Sequence, residues 1–250
     1  MIKKILLRNN SVLWIIAFAV ILIPLATKSR YYQDIAIMTF LWAGIATSWN
    51  FYSGYCNRLS IGHAAFLGIG AYTSSLLFLN FAISPWIGML AGGLISAIAA
   101  LIIGGTTLRL KGTFFVLSTI AFAEILKVIT ITSEHVTRGS LGLQVPFQPG
   151  LFNMIWQSKI PYAFLAWAYM LIAIYISVRL ERSKLGYYLI AVGENQEAAE
   201  NLGVNSSRTM MISFVISAVF TSFGGTIFAQ YIMFIEPTSI MGLGNSVNII

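Results

Sequence analysis

The chain has 250 residues, of which 58% are hydrophobic and only 9% charged, with a mean hydropathy of +0.81. Soluble domains carry roughly 25% charged residues, so this composition excludes a water-facing globule and indicates an integral membrane protein. The net charge of +7 does not point to nucleic acid, because most of the basic residues flank apolar segments and read as topology signals, and the lone Cys56 excludes an intrachain disulfide or a CxxC pair.

A membrane span needs about 20 apolar residues at 1.5 Å rise each. The first candidate is 11–27, preceded by Lys3, Lys4 and Arg8. The stretch Pro24 to Arg30 offers no small-x-small cleavage site, so this is expected to be an uncleaved span. The following candidates are 32–53, 61–82, 85–108, 113–131, 160–179 and 209–235, with an eighth beginning near 245. The runs are too long for strands, and no alternating pattern suggests an outer-membrane barrel. The expected fold is all-α: a polytopic transmembrane helical bundle of about seven spans plus the start of an eighth, in a single domain over 1–250.

Orientation follows from the basic residues. An inside N-terminus puts Lys3, Lys4, Arg8, Arg58, Arg109, Lys111, Arg179, Arg182, Lys184 and Arg208 on the inner side. Lys28, Arg30, Lys127, Arg138 and Lys159 then fall on or near the outer side. Ten against five favours a cytoplasmic N-terminus, which places loop 180–208 in the cytoplasm and loop 132–159 outside. The outer loop, with Gly139, Gly142, Pro146, Pro149 and Gly150, reads as a structured connection with turns. It suits either contact with an outside partner or a plain lid.

Within the spans, Gly88, Gly92, Ser96, Ala100 and Gly104 recur every four residues and form a stripe for close helix packing. The segment Gly62 to Gly70 is also rich in small residues, which suits tight packing or a break at membrane depth. Glu124 lies inside the fifth span with Lys127 three positions on. It is either a polar group on a translocation path or half of a neutralising pair. His63 has no second ligand at metal spacing, and Asp34 reads as a helix N-terminal charge. No P-loop, His-Glu-x-x-His or Gly-x-Ser-x-Gly motif occurs, so neither ATP hydrolysis nor another catalytic activity is expected of this chain. With Glu124 nearly alone as a deep ionisable group, a proton-driven carrier is disfavoured.

The polar loop Glu197-Ala198-Ala199-Glu200-Asn201-Leu202-Gly203 is a short amphipathic helix with a glycine stop between two apolar segments. Glu197, Ala198, Ala199 and Gly203 match the opening of the EAA loop of ABC importer permeases. Further matches run through Gly54-Tyr55 and Leu59 to Tyr72, Arg109 to Phe115 and Leu117 to Leu126, Ser183 to Gly186, and Phe214 to Gly225 with Phe234, Ile235 and Pro237. Together, across about 40–240, the chain resembles the M-type permease subunits of branched-chain amino acid ABC importers.

That resemblance implies several things. A second permease shares the membrane path, two cytoplasmic ABC ATPases bind the ATP, and an extracytoplasmic substrate-binding protein delivers the cargo. The chain would sit among membrane lipid in a bacterial-type cytoplasmic (inner) membrane, with no cofactor of its own and no nucleic acid. Segment 194–203 would be the coupling helix, with Ala198, Ala199 and Leu202 in an apolar cleft of the ATPase and Glu197 and Gly203 completing the motif. Ser60, His63, Thr119 and Glu124 would line the translocation path. Arg138 stands where the family has a small residue in an outer turn, and the Ile-x-Leu-Pro ending of the longer EAA signature is missing. The family continues through further spans where this sequence stops at Ile250, so a functional short form and an inactive truncated one both remain open, as does a secondary carrier or channel for a small polar solute.

Overall fold

The computed structural model describes residues 29–110 and 112–250, together with Ile21 and Pro24. The expected span over 11–27 otherwise falls outside the described residues, as does Lys111. The described residues are mostly helical. Helix α1 spans Arg30–Asn50, α2 His63–Phe81, α3 Pro85–Thr107 and α4 Thr113–Thr132. A short α5, Glu134–Thr137, opens the connection that includes strand β1, Leu143–Gln144. Then come α6 Ile160–Glu181, α7 Lys184–Glu194, α8 Gln196–Asn201 and α9 Ser206–Ile232. Strand β2, Phe234–Ile235, pairs antiparallel with β1, and α10 Pro237–Ile240 and α11 Leu243–Ile249 follow.

Local chemistry sets the boundaries. Ser84 caps α3 ahead of Pro85, whose missing N–H costs nothing in a first turn. Asn205 Oδ1 accepts from the Arg208 N–H at 2.9 Å and starts α9 three residues before the expected 209. The same helix stops at Ile232 instead of 235, because Met233 turns left-handed and the next two residues pair with β1. Near 245 the chain forms only the seven-residue α11.

Among the described residues α2, α3, α4, α6 and α9 are long and apolar enough to cross a membrane. The expected span at 32–53 corresponds to α1, which is as long but carries Arg30, Gln33 and Asp34 near its start. It is packed rather than peripheral: α1 lies along α6 and α9, while α9 also packs on α2 and α3. Backbones come very close at these crossings. A Cβ on Gly70 would sit 2.0 Å from the Ser222 carbonyl oxygen, and one on Gly225 2.0 Å from that of Leu67.

The four-residue stripe of α3 faces the same junction. A Cβ on Gly88 would meet Ser74 Cα at 2.8 Å, one on Gly92 would meet Gly70 Cα at 3.1 Å, and one on Gly104 would meet Met211 Sδ at 2.7 Å. Ser96 and Ala100 are fully buried. In contrast α4 is attached thinly, burying only Phe115, Thr119 and Ala123. Its outward face, with Phe114 73% exposed, requires lipid or another subunit as its surroundings.

The turns after α1 and α3 and the α7–α8 segment gather at one end of the bundle, the α8 end. At the far end, Trp86 Nε1 donates to the Leu151 carbonyl at 3.0 Å, which ties the 133–159 connection down on α3. Asp34 is there an ion-pair partner of Lys159 and accepts a hydrogen bond from Tyr231. It clamps α1 to α6 and α9 beside a cavity of about 460 Å³, instead of acting as a free charge at a helix start.

Candidate functional site: a buried histidine node and an exposed capped helix

Two polar constellations stand out. The first lies inside the bundle at the start of α2. His63, fully buried, has Nδ1 3.0 Å from Ser60 Oγ and Nε2 2.8 Å from Ser217 Oγ on α9. Ser217 donates its single hydroxyl proton to the Ser48 carbonyl of α1 at 2.7 Å. It can therefore only accept from His63, which assigns the proton to Nε2 and makes Nδ1 the acceptor from Ser60. Nearby, Tyr169 of α6 donates to the Phe220 carbonyl at 2.8 Å and lies 3.2 Å from Ser48 Oγ. Thr119 joins from α4, where its Oγ1 accepts from the Ile61 N–H at 3.2 Å. The first turn of α2 gains a further partner in Ser246 of α11, whose Oγ accepts from the Ala64 N–H at 3.4 Å.

Ser60, His63 and Thr119 are thus brought together, all buried, in a network that joins six helices. Phe66 and Phe214 stand edge-on to the imidazole and close it off. Replacing His63 with leucine keeps the bulk but leaves the Ser60 hydroxyl without its acceptor and removes a hydrogen bond to Ser217. The expected cost is about 2 kcal/mol, read as a lowered unfolding temperature of the purified protein in mild detergent. Glu124 stands apart on α4. It forms an i,i+3 ion pair with Lys127, and its side chain is 37% exposed.

The second constellation is at the α8 end. Asn195, in extended conformation, accepts from the Ala198 N–H through Oδ1 at 3.0 Å and starts α8. Gly203, at φ +86°, ends the segment in a conformation that L side chains rarely adopt. Glu197 and Ala198 face outward, and Leu202 is 86% exposed. Ala199 is the exception among the motif residues. At 2% exposure it packs in the chain's own apolar cluster with Val192 and Met210. The motif therefore divides into one anchoring alanine and a presented surface of Ala198 and Leu202.

The amphipathic α7, capped by Ser183 Oγ at 3.2 Å from the Gly186 N–H, supports α8 and is an element that the loop reading of 180–208 missed. Its apolar face, with Leu189 and Val192 buried, carries the helical spacing that identifies it. Arg58 is the other residue that motif reading passed over. Its Nη2 donates to Gln196 Oε1 at 2.7 Å.

The turn at residues 51–62 is well packed, and burial pushes the Cys56 thiol up to about 12. Cys56 is 2% exposed. At pH 8 the thiolate needed for alkylation is scarce and shielded, so maleimide is expected to label the detergent-purified protein only after denaturation. Labelling of native protein at the rate of a small-molecule thiol contradicts this packing.

Long apolar helices packed through glycine contacts, with a capped amphipathic helix pair exposed at one end, define a polytopic helical membrane protein. Within that class the chain belongs to the family described as the permease component of branched-chain amino acid transport systems, which matches residues 31–250. It is similar to the high-affinity branched-chain amino acid transport system permease protein LivM of Salmonella typhimurium and of Escherichia coli. Each is 29% identical over 235 residues, covering 84% of this chain and 55% of the relative. The nucleoside ABC transporter permease protein NupC of Lactococcus lactis is 28% identical over 193 residues, covering 70% of this chain and 59% of its own length. The chain spans about half the length of the curated relatives it matches. No solved structure matches it at a significant level.

Proposed function

We propose that this chain is a permease subunit of an ABC importer and forms part of the path that carries branched-chain or other amino acids across the cytoplasmic membrane of a bacterium. The observation that carries this reading is α8: a capped helix that buries Ala199 to hold its place and presents Ala198 and Leu202 outward. We read the exposed Leu202 beside Ala198 as the apolar centre of a surface that a soluble partner covers.

The partner is an ABC ATPase, which binds the ATP that this chain has no motif to hold. A second permease completes the path, two ATPases dock on the two permeases, and an extracytoplasmic substrate-binding protein delivers cargo at the far end. The N-terminus and the α8 end lie in the cytoplasm, in agreement with ten of fifteen basic residues on that side. The seven spans include α1 and segment 11–27, all within one domain over 1–250. The cargo follows the names of two of the relatives. On the path itself we place the face of α4 that carries Glu124, with Ser60, His63 and Thr119 fixing α2 and α4 against each other behind it.

Affinity purification of the tagged chain from its own cell in mild detergent tests the reading. Two P-loop ATPases and a second hydrophobic permease are expected to co-purify. A well-folded chain that emerges alone, or uptake abolished by collapsing the ion gradient while ATP stays high, overturns it.

A further inference from the structure

We propose that Arg58 is the strut through which α8 moves the α3–α4 turn and, with it, α4. The inference rests on the reading of α8 as the helix the ATPase pushes. Arg58 sits in the turn between α1 and α2, directly after Asn57, which is left-handed at φ +51°. Its guanidinium bridges the end of α3 and the start of α8. Nη1 donates to the Leu108 and Leu110 carbonyls at 3.0 and 3.1 Å, and Nη2 donates to Gln196 Oε1 at 2.7 Å. Gln196, the first residue of α8, passes its own amide protons to Glu200 Oε1 at 2.9 Å and to Ser206 Oγ at 3.3 Å. Arg58 and Gln196 together thus join the start of α8 and the start of α9 to the end of α3.

Capping alone does not account for this arrangement. Leu108 is the C-cap residue of α3 and Leu110 lies two residues beyond it, and a cation beside these carbonyls satisfies orphaned acceptors and favours the C-terminal end of the helix dipole. That role needs only Nη1, whereas the bond from Nη2 to Gln196 ties the capped end to α8. A lysine ammonium cannot replace the fork, since a single point of charge does not hold two carbonyls and an amide oxygen in one plane.

Each end of the strut lies near a glycine with left-handed backbone, where no side chain obstructs a turn of the chain. At one end Gly203, at φ +86°, has nothing within 4 Å of a would-be Cβ. At the other, Gly112 at φ +58° is equally unobstructed and immediately precedes α4. Helix α4 is also the long helix with the fewest buried residues. Displacement of Gln196 therefore pulls on the Leu108 and Leu110 carbonyls and turns α4 about Gly112. Glu124 moves with α4, and Thr119 slides against the Ile61 N–H.

Two measurements on the whole protein separate this proposal from the reading it rests on. The first needs no partner: hydrogen exchange of α4 amides 116–119 in the detergent-purified chain. Gln196→Ala and Arg58→Gln are each expected to speed exchange there by about fivefold, and the double variant by no more than Arg58→Gln alone, because both remove one linkage. An unchanged rate in Gln196→Ala, or fully additive effects, overturns the strut. The second uses the complex purified with its native partners in liposomes. Arg58→Gln is expected to keep partner yield and at least half of the ATP hydrolysis while uptake falls about tenfold, with Arg58→Lys recovering only part of it. Uptake and hydrolysis falling in equal proportion overturns the strut. Absence of ATPases from the wild-type preparation counts against the importer reading, and the exchange result then still decides whether Arg58 links α8 to α4.

Discussion

Replacing Ala198 with glutamate is expected to cut uptake by more than tenfold while leaving the bundle intact. Ala198 is exposed, and glutamate is nearly as good a helix former as alanine, so nothing in this chain opposes the change. The cost arises only when a partner covers the position. A carboxylate pressed into an apolar cleft without a cation costs several kcal/mol, which exceeds the 1.4 kcal/mol that separates tenfold steps in affinity. The neighbouring Ala199→Glu is expected to act differently. Ala199 lies inside the chain's own cluster, so that variant loses folded protein as well as uptake. Size-exclusion profiles and uptake, measured side by side, distinguish the two. Normal uptake by Ala198→Glu rules out docking through this face.

The second large effect is expected at the crossing of α2 and α9. Alanine at Gly70 or Gly225 places a methyl carbon 2.0 Å from a backbone carbonyl, whereas ordinary contact begins near 3.4 Å. A flexible side chain could swing aside, but a helix backbone cannot, so the two helices must part by roughly 1 Å along their length. Overpacking of this kind costs about 3 kcal/mol or more, equivalent to roughly 8 °C in unfolding temperature for a chain of this size. Gly105→Ala on α3 is the control, since a Cβ there meets nothing within 4 Å and a better helix former is introduced. It is expected to unfold within about 2 °C of the parent. Equal melting of all three variants contradicts the close α2–α9 approach.

Much of this architecture is legible in the residue order, for identifiable reasons. Apolar runs bounded by Pro85, Gly112 and the Lys159–Pro161 segment place α3, α4 and α6 to within two residues of the expected spans. The spacing of Gly88, Gly92 and Gly104 locates a packing face because a missing side chain has a meaning independent of its partner. What sequence could not convey is pairing across distance. Ser217 is one of several serines on α9 until the fold sets it 2.8 Å from His63. Asp34 and Lys159 are 125 positions apart, and the two-residue strands that trim α9 have no periodicity to detect.

The composition of the EAA-like motif does not tell its anchoring residue from its presented one. Ala198 and Ala199 are indistinguishable as letters, yet a turn of 100° between neighbours puts one outside and the other in the core. Arg58 was equally hidden, since a basic residue beside a span ordinarily signals topology, and its three hydrogen bonds exist only in the folded arrangement.

The most direct test of the central claim is site-specific photocrosslinking in living cells from Leu202, 86% exposed on the α8 segment, and from Leu141, 84% exposed at the far end. A photoreactive residue at position 202 is expected to capture a P-loop ATPase, and one at position 141 is expected never to do so. Capture of the ATPase from 141, or its absence from 202 in cells whose uptake is intact, contradicts an importer permease driven through α8.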